Sequence, residues 1–216
     1  METYKVSKFD IALDEAGRGP FCGPVCAGAV IWADSPEPIP IIKDSKTLSK
    51  KKRKLAYDWI IENVKYFGMG LSTEKEIDQL GIFEATKTAM VRAIDDLFNK
   101  NKSFLSENKD SPTNLTIDGI GWDKREFDTV NKFNLSQIIP VVKGDAKYCN
   151  IAAASILAKE YHDQEIDRFC ISNQDIAEKY DLLNNKGYGT KKHREGIVKY
   201  GLSDYHRKSY NINYSK

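Results

Sequence analysis

The sequence predicts an α/β fold in which helices flank a mixed β-sheet and a small helical extension follows. Three observations lead to this prediction. Strand-like and helix-like hydrophobic patterns alternate along most of the chain, which is typical of layered α/β domains. The first two strand patterns are separated only by a glycine-rich turn, so part of the sheet should be antiparallel. From Asn173 onward the patterns are short and helical, with no convincing strand.

The predicted strands are short runs that contain apolar and β-branched residues between turn signals. The first run, residues 9–13, alternates apolar and polar positions, and DEAGRGPFCGP separates it from the second. Glycine and proline punctuate this connection and predict a turn. The five predicted strands are residues 9–13, 25–32, 65–72, 115–118 and 137–143.

The predicted helices carry apolar residues three and four positions apart. Ser49 and Thr73 are the candidate N-caps of two of them, and Gly81 is expected to interrupt the second. Small residues near the start of the last predicted helix should allow close packing on a neighbour. The predicted helices are residues 50–64, 73–98, about 123–132 and 148–169.

The domain prediction is one compact unit, residues 1–170, with a helical extension, residues 171–216, packed on it as one structural unit. Residues 99–114 are polar, contain lysines and are interrupted by Pro112. This segment is the best candidate for a mobile loop. The chain contains no internal repeat and no low-complexity tract.

Composition and patterning exclude several classes of protein. With 41% hydrophobic and 30% charged residues, the chain is typical of folded soluble proteins rather than disordered ones. The N-terminal residues are charged and lead into no apolar run, unlike a secretory signal. The longest apolar run is far shorter than the roughly 20 residues that span a bilayer. We therefore expect a cytoplasmic protein with reduced cysteines, in which Cys22 and Cys26 are packing residues.

Charge distribution is more informative than the net charge of +2. Residues 43–54 hold seven Lys or Arg against one acid, and residues 181–216 hold eight against three. Two separated basic regions suit a backbone of phosphates. Either region alone fits a solvated helix face equally well.

Four acids stand where predicted strands end. Asp14 and Glu15 close the first strand, Asp118 closes the fourth, and Asp145 lies just beyond the fifth. Ends of strands from one sheet can converge on a single point. Adjacent residues of a regular strand face opposite ways, so the first two acids can share a site only if the strand bends or stops there. The glycines and proline that follow supply such a break.

Each acid also fits an ordinary structural role. Asp118 precedes Gly119, and an Asp-Gly pair is a common tight-turn signal. Asp145 precedes a predicted helix and could cap it. Asp14 and Glu15 fit a turn acid and a surface acid. Taken one at a time, these residues do not decide between structure and chemistry.

Seven strings of the sequence resemble, in order and spacing, the motifs of bacterial ribonuclease HII. The resemblance covers nearly the whole chain and implies an RNase H-like fold with a mixed five-stranded sheet. The strings are DEAGRGP (14–20), DSKTLS (44–49), IDG (117–119), KGDAKY (143–148), AAASILAK (152–159), GYGTKKH (187–193) and HRKSY (206–210).

The resemblance implies a catalytic site in which Asp14, Glu15, Asp118 and Asp145 bind two divalent ions, Mg²⁺ or Mn²⁺. Physical chemistry agrees with bound cations, because two unit charges about 4 Å apart repel by roughly 4 kcal/mol at an effective dielectric of 20. Four clustered carboxylates would therefore destabilise the fold unless cations lay between them. Oxygen ligands also select hard cations. The implied reaction is two-metal hydrolysis of RNA in RNA/DNA hybrids and at ribonucleotides embedded in duplex DNA. Cleavage on the 5′ side would leave 5′-phosphate and 3′-hydroxyl ends.

The resemblance also implies substrate-binding residues. Gly17, Arg18 and Gly19 match a motif whose main chain approaches the 2′-hydroxyl, which glycine leaves unobstructed. Tyr188 matches a tyrosine that stacks on the sugar of the next nucleotide, although in isolation it fits a packing aromatic. Lys46 is a candidate phosphate contact.

A second candidate phosphate contact is the start of a predicted helix. Lys191, Lys192 and His193 stand there, where the helix N-terminus is positive. A solvated face fits these residues equally well. His206 and Arg207 match a string that we interpret as mainly structural.

Two alternative functions are less consistent with the sequence. A ribonuclease HIII-like enzyme is disfavoured by Ala16, by Arg18 and by the short stretch before the first strand. A catalytically silent binder of RNA/DNA hybrids is disfavoured by intact acids at all four positions. The chain departs from the family pattern at Asn150 and His162, neither of which is one of the acids. A monomer is the default expectation.

Overall fold

A computed structural model describes residues 1–3, 9–33, 35–122, 127 and 133–212. Its central feature is a sheet in which the strands lie in the order β3-β2-β1-β4-β5. β1 pairs antiparallel with β2, and β2 with β3, whereas β1, β4 and β5 are parallel. The predicted mixed five-stranded sheet is confirmed. The strands are β1 (Ile11–Ala16), β2 (Val25–Ile31), β3 (Tyr66–Ser72), β4 (Thr113–Asp118) and β5 (Leu135–Val141).

Helices cover both faces of this sheet and form the C-terminal region. Ser49 and Thr73 cap α1 and α2 through their side-chain oxygens, as predicted. Gly81, with φ of +81°, separates α2 from α3. A 3-10 turn spans Ser45–Thr47. The helices are α1 (Lys50–Asn63), α2 (Glu74–Leu80), α3 (Ile82–Lys100), α4 (Lys102–Asn108), α5 (Gly144–Lys147), α6 (Cys149–Ser172), α7 (Gln174–Lys179), α8 (Leu182–Asn185) and α9 (Lys191–Tyr200).

The prediction of a loop over residues 99–114 is wrong. α3 continues to Lys100, α4 follows at once, and β4 begins at Thr113. Phe104 explains the difference, because its ring is buried against Phe9 at 5.1 Å and Tyr66 at 4.2 Å between ring centroids. This buried aromatic ring anchors the helix on the core. The helix predicted around residues 123–132 lies outside the described residues apart from Phe127.

The two faces of the sheet pack on different helices. One core lies between the sheet and α3, and the other lies between the sheet, α1 and α6. α6 crosses β2 at backbone contact, since a Cβ added to Gly28 would lie 2.4 Å from the carbonyl oxygen of Ala154. The small residues of α6 therefore allow the close packing expected from the sequence. This contact fixes how closely α6 lies against the sheet.

The C-terminal helices form a third apolar cluster with α6. Ile166 and Cys170 of α6 pack with Tyr180, Leu182 and Ile197. The predicted boundary at residue 170 falls in the last turn of α6, so the division into 1–170 and 171–216 stays a prediction. All four cysteines are buried free thiols. None of the described helices combines the length and apolar character needed to cross a bilayer.

Candidate active site

The site forms where β1 and β4 separate. The two strands pair from Ile11 to Leu13 on β1, and the last pair is Leu13 with Ile117. Beyond it β1 continues on β2 alone as far as Ala16. The break that the sequence assigned to the following glycines comes directly after Ala16, so Asp14 and Glu15 lie among the last three residues of β1. At these two acids β1 has already lost its β4 partner. Because parallel strands end at the same edge of a sheet, the side chains beyond this last pair share one gap.

A turn after β5 brings Asp145 to the same gap. Asp145 stands in the first turn of α5, which begins after Lys143 in the left-handed conformation, with φ of +55°. The main-chain N–H of Gly144 donates to Asp118 Oδ1 at 2.7 Å. This hydrogen bond ties the end of β4 to the start of α5. Asp118 and Asp145 are thereby held as neighbours.

Three of the four predicted acids converge. Carboxylate oxygens of Asp14, Asp118 and Asp145 all lie within 4.8 Å of one another. Asp14 is only 4% exposed, and its Oδ1 accepts from the main-chain N–H of Glu15 at 2.7 Å. Its Oδ2 is buried and has no hydrogen-bond partner among the described residues. Glu15 lies at the edge of this group, in the same cleft, and pairs with Arg18 at 3.3 Å.

The electrostatics of the cluster favour a cation. Burial raises the pKa of Asp14 well above its usual value, and the charges of Glu15 and Asp118 raise it further. Burial also raises the pKa of Asp145, with Asp118 adding to the effect and Lys46 opposing it. Burial likewise raises the pKa of Glu15, against the opposing charge of Arg18. Converging carboxylates with an unpartnered buried oxygen fit hard divalent cations such as Mg²⁺ or Mn²⁺.

The cleft beside the acids, with a volume of about 270 Å³, contains most of the predicted substrate-binding residues. Gly17, Arg18 and Gly19, here called the GRG loop, form one wall, and Lys46 and Tyr188 also line the cleft. A Cβ added to Gly19 would lie 3.8 Å from the ring of Tyr188. The loop and the tyrosine therefore face each other across a narrow distance.

The sequence did not indicate two further lining residues, Ser155 and Lys159 of α6. Ser155 Oγ lies 2.9 Å from Ser45 Oγ, which joins α6 to the 3-10 turn. Lys159 Nζ stands 5.2 Å from the centroid of the Tyr188 ring and donates to Asp163 at 2.7 Å. Their spacing of four residues within AAASILAK was a usable signal, because it places both side chains on one helix face.

Part of each basic region is internal. Arg53 is buried, and its Nε donates to Glu160 at 2.6 Å while its Nη2 donates to Asp163 at 3.0 Å. Lys186, in the second region, is buried and pairs with Asp167. These charges hold helices together, so the surface available for phosphates is smaller than the sequence indicates.

The remaining candidate phosphate contacts lie at the start of α9, and they differ in exposure. Lys191 and Lys192 are exposed, near Glu195 and Asp181 respectively. His193 is 0% exposed, and both ring nitrogens lie within hydrogen-bond distance of protein atoms. A phosphate contact by the His193 ring is therefore wrong, because α9 turns this side chain inward.

His193 belongs to a buried cluster with His206 and Cys22. The main-chain N–H of Ser203 donates to His206 Nδ1 at 3.0 Å, so the proton of the neutral ring is on Nε2. His206 Nε2 then donates to His193 Nε2 at 3.1 Å, and His193 Nδ1 donates to the carbonyl of Tyr188 at 3.0 Å. Burial raises the pKa of the Cys22 thiol to about 12. Hydrogen bonds therefore satisfy the nitrogens of the two neutral rings, His193 and His206, without a metal ion.

The hydrogen-bonded pair of His193 and His206 predicts that the folded protein loses stability in acid. Burial, together with the electrostatic interaction between the two adjacent rings, lowers the pKa of His206 to about 4 from an ordinary value of 6.5. The unfolded chain then binds more protons between these values, so stability is complete above pH 6.5 and falls as the pH drops toward 4. We expect His206 alone to cost about 3 kcal/mol over this range.

Thermal melts between pH 7 and pH 4.5 test this expectation. His206→Gln keeps a donor toward His193 but cannot be protonated, so its melting temperature should fall less on acidification. Equal falls for both proteins would contradict the assignment. Raised carboxylate pKa values act in the opposite direction in both proteins, and the comparison removes their contribution.

The family of the chain follows from comparison with known proteins. Residues 11–213 match the family model described as Ribonuclease HII. The chain belongs to the ribonuclease HII family. Its members are ribonuclease H endonucleases, hydrolases that depend on divalent metal ions and act on RNA/DNA hybrids, and the acidic cluster agrees with that requirement.

Curated ribonuclease HII proteins resemble the chain over most of its length. The protein of Orientia tsutsugamushi is 40% identical over 219 residues, which cover 100% of this chain and 94% of that one. The protein of Macrococcus caseolyticus is 39% identical over 198 residues, covering 92% of this chain. The chain spans 65% of the length of the Macrococcus protein.

Solved structures confirm the fold. Ribonuclease HII from Archaeoglobus fulgidus, in its complex with PCNA, aligns with a TM-score of 0.68 at 18% identity, covering 95% of this chain and 96% of that one. Ribonuclease H2 from Pyrococcus horikoshii aligns with a TM-score of 0.62 at 24% identity, covering 94% and 93%. The predicted RNase H-like architecture is confirmed by these alignments.

Proposed function

We propose that this ribonuclease HII family chain hydrolyses the RNA strand of RNA/DNA hybrids and nicks duplex DNA on the 5′ side of an embedded ribonucleotide. The products would carry 5′-phosphate and 3′-hydroxyl ends. Two ions, Mg²⁺ or Mn²⁺, would be held by Asp14, Glu15, Asp118 and Asp145. The observation that carries this proposal is the convergence of three carboxylates within 4.8 Å, one with an unpartnered buried oxygen.

The chain's own residues prepare the carboxylates for this role. When bound, the divalent ions supply activation of the attacking water and neutralisation of charge on the leaving oxygen. The Gly144 N–H fixes Asp118 through Oδ1, and Lys46 and Arg18 hold Asp145 and Glu15 at 3.4 Å and 3.3 Å. Four carboxylates so arranged require no protein nucleophile.

Lys46 also fits a phosphate contact. Its side chain is 77% exposed, although Nζ lies 3.4 Å from Asp145 Oδ2. An exposed ammonium group beside the acids can turn to a phosphate oxygen when metal ions neutralise Asp145. Lys191 and Lys192 would contact phosphates farther along the duplex, where the N-terminus of α9 adds positive potential.

Recognition of the ribonucleotide would occur between the GRG loop and Tyr188. The loop presents main chain to the cleft, and Tyr188 is 39% exposed opposite Gly19. An exposed aromatic face that is flanked by Lys159 suits stacking on a sugar or base. Residues 1–170 would supply the acids and the loop, and residues 171–216 the tyrosine. We expect the enzyme to act as a cytoplasmic monomer.

A nicking assay tests the proposed function. A DNA duplex that contains one ribonucleotide should be cut on its 5′ side in Mg²⁺ or Mn²⁺ and stay intact with EDTA. Denaturing gels with end-labelled strands locate the cut and identify the ends. The matched control is the all-DNA duplex, which should remain uncut under the same conditions. Binding of the ribonucleotide duplex without any nick would instead support the silent hybrid-binding protein.

A second substrate separates the ribonuclease HIII-like alternative. A uniform RNA/DNA hybrid should be cut by either enzyme, whereas the single embedded ribonucleotide distinguishes the two readings. Cutting of the hybrid without cutting of the single-ribonucleotide duplex would favour the alternative. The assignment of the chain to the ribonuclease HII family favours cutting of both.

A further inference from the structure

Arg207 is a buried cation that contacts main chain rather than acids. It is 0% exposed, and within the described part of the chain no carboxylate pairs with it. Its Nε donates to Gly23 O at 2.9 Å, and its Nη2 donates to Pro24 O at 2.8 Å and Gly17 O at 2.6 Å. Its Nη1 donates to Arg18 O at 3.0 Å. A planar guanidinium is suited to gather carbonyl groups in this fixed geometry.

Tyr210 makes a parallel contact with the same loop. Its hydroxyl donates to Arg18 O at 2.6 Å and accepts from Arg207 Nη1 at 3.0 Å. The ring also lies 5.1 Å from the Arg207 guanidinium carbon. Arg207 and Tyr210 together therefore hold the carbonyls of Gly17 and Arg18, and we call these two residues the carbonyl clamp.

The clamp is itself anchored on both sides. The main-chain N–H of Arg207 donates to Phe21 O at 2.8 Å. On the other side, Asp78 of α2 accepts from the main-chain N–H groups of Lys208 and Ser209 at 2.9 Å and 2.8 Å. The segment that carries the clamp is thus fixed to the body of the protein. The clamp therefore holds the loop carbonyls in a fixed position as well.

Holding the carbonyls orients the amides that follow them. In a planar trans peptide the C=O and N–H groups point in opposite directions. The N–H groups of Arg18 and Gly19 therefore point away from the clamp, and neither donates a hydrogen bond within the described residues. These residues line the cleft. Two unpartnered donors beside the catalytic acids suit a hydroxyl acceptor.

We propose that Arg207 and Tyr210 are positioning residues that set the preference for a ribonucleotide by fixing the orientation of the Gly17–Arg18 and Arg18–Gly19 peptides. This inference rests on the proposed function, because it assumes that the loop meets the 2′-hydroxyl. The clamp itself does not touch substrate. Its removal should reduce discrimination between ribonucleotide and deoxyribonucleotide more than it reduces affinity for duplex DNA.

The test compares binding of two duplexes of one sequence, with and without a single ribonucleotide. Fluorescence anisotropy is measured in Mg²⁺ with Asp14→Asn as the background, so that no cutting is expected. Tyr210→Phe removes one hydrogen bond and should lower the affinity ratio about threefold, with unchanged affinity for the all-DNA duplex. Arg207→Lys should lower the ratio about tenfold or more.

Tyr200→Phe is the matched control, because Tyr200 is exposed at the last residue of α9 and its ring contacts Tyr180 and Lys199, and it should leave the ratio unchanged. Thermal melts accompany each variant, and Tyr210→Phe keeps the proposal testable even if Arg207→Lys does not fold. An unchanged ratio in folded Tyr210→Phe and Arg207→Lys would overturn the clamp. Failure of the wild-type protein to nick the single-ribonucleotide duplex would instead contradict the proposed function.

Discussion

We expect Asp14→Asn to abolish detectable metal-dependent nicking and to raise the melting temperature of the metal-free protein. The carboxylate is 4% exposed, lies within 4.8 Å of two other acids and has an unpartnered oxygen. Removing its charge should relieve up to about 3 kcal/mol of repulsion, or a gain of several degrees for a chain of this size. Activity should fall at least about a thousandfold, because a ligand of the charge-stabilising ions is lost.

Glu76→Gln is the matched control with the opposite behaviour. A hydrogen bond from Arg92 lowers the pKa of Glu76 to about 2, so its charged form stabilises the fold, and the Arg92 Nη2 to Glu76 Oε1 distance is 2.6 Å. Its replacement should lower the melting temperature and leave nicking intact. Melts in EDTA and in Mg²⁺ complete the comparison, because Mg²⁺ should stabilise the wild type more than Asp14→Asn. Normal nicking by Asp14→Asn would overturn the assignment of the site.

Gly17→Ala and Gly19→Ala should separate the structural and functional parts of the GRG loop. Gly17 has φ of +91°, and an added Cβ would lie 2.4 Å from the His162 ring and 2.8 Å from Pro24 O. Both the backbone conformation and the lack of space oppose a side chain. We expect Gly17→Ala to cost about 2–4 kcal/mol of stability, which corresponds to roughly 5–15 °C in melting temperature.

Gly19→Ala has the opposite expected profile. Its added Cβ would meet only Tyr188, at an ordinary contact distance of 3.8 Å, so the melting temperature should change by no more than about 1 °C. The methyl group would project between the loop and Tyr188, where the sugar is expected to pass. KM for the single-ribonucleotide duplex should rise about tenfold, with a smaller change in kcat. Wild-type KM in this variant would contradict close approach of the loop to substrate.

The sequence predicted much of the fold because its local signals are strong. Period-two patterns located strands and helical patterns located helices. The caps Ser49 and Thr73 were identified from side-chain chemistry alone. The prediction of a loop over residues 99–114 was wrong because the segment is mostly polar, and its composition does not show that Phe104 is buried. A single aromatic residue gives no periodic signal, so only its contacts across the core reveal that the segment is helical.

The candidate site was predicted in part. Strand-end acids were expected to converge, and Asp14, Asp118 and Asp145 do so. The sequence did not indicate that Glu15 would lie at the edge with Arg18 or that Ser155 and Lys159 would line the cleft. These positions depend on how closely α6 packs on the sheet, which no local pattern encodes.

By itself, the sequence determined the type and order of the elements, the motifs that resemble ribonuclease HII and the acids that close the strands. Only the tertiary structure decided that His193 faces inward and that Arg207 holds the carbonyls of the GRG loop across 190 residues of chain from Gly17. Periodicity and capping are properties of neighbouring residues. Burial and hydrogen-bond partners between distant segments are set by the packing of whole elements, and there the tertiary structure decides.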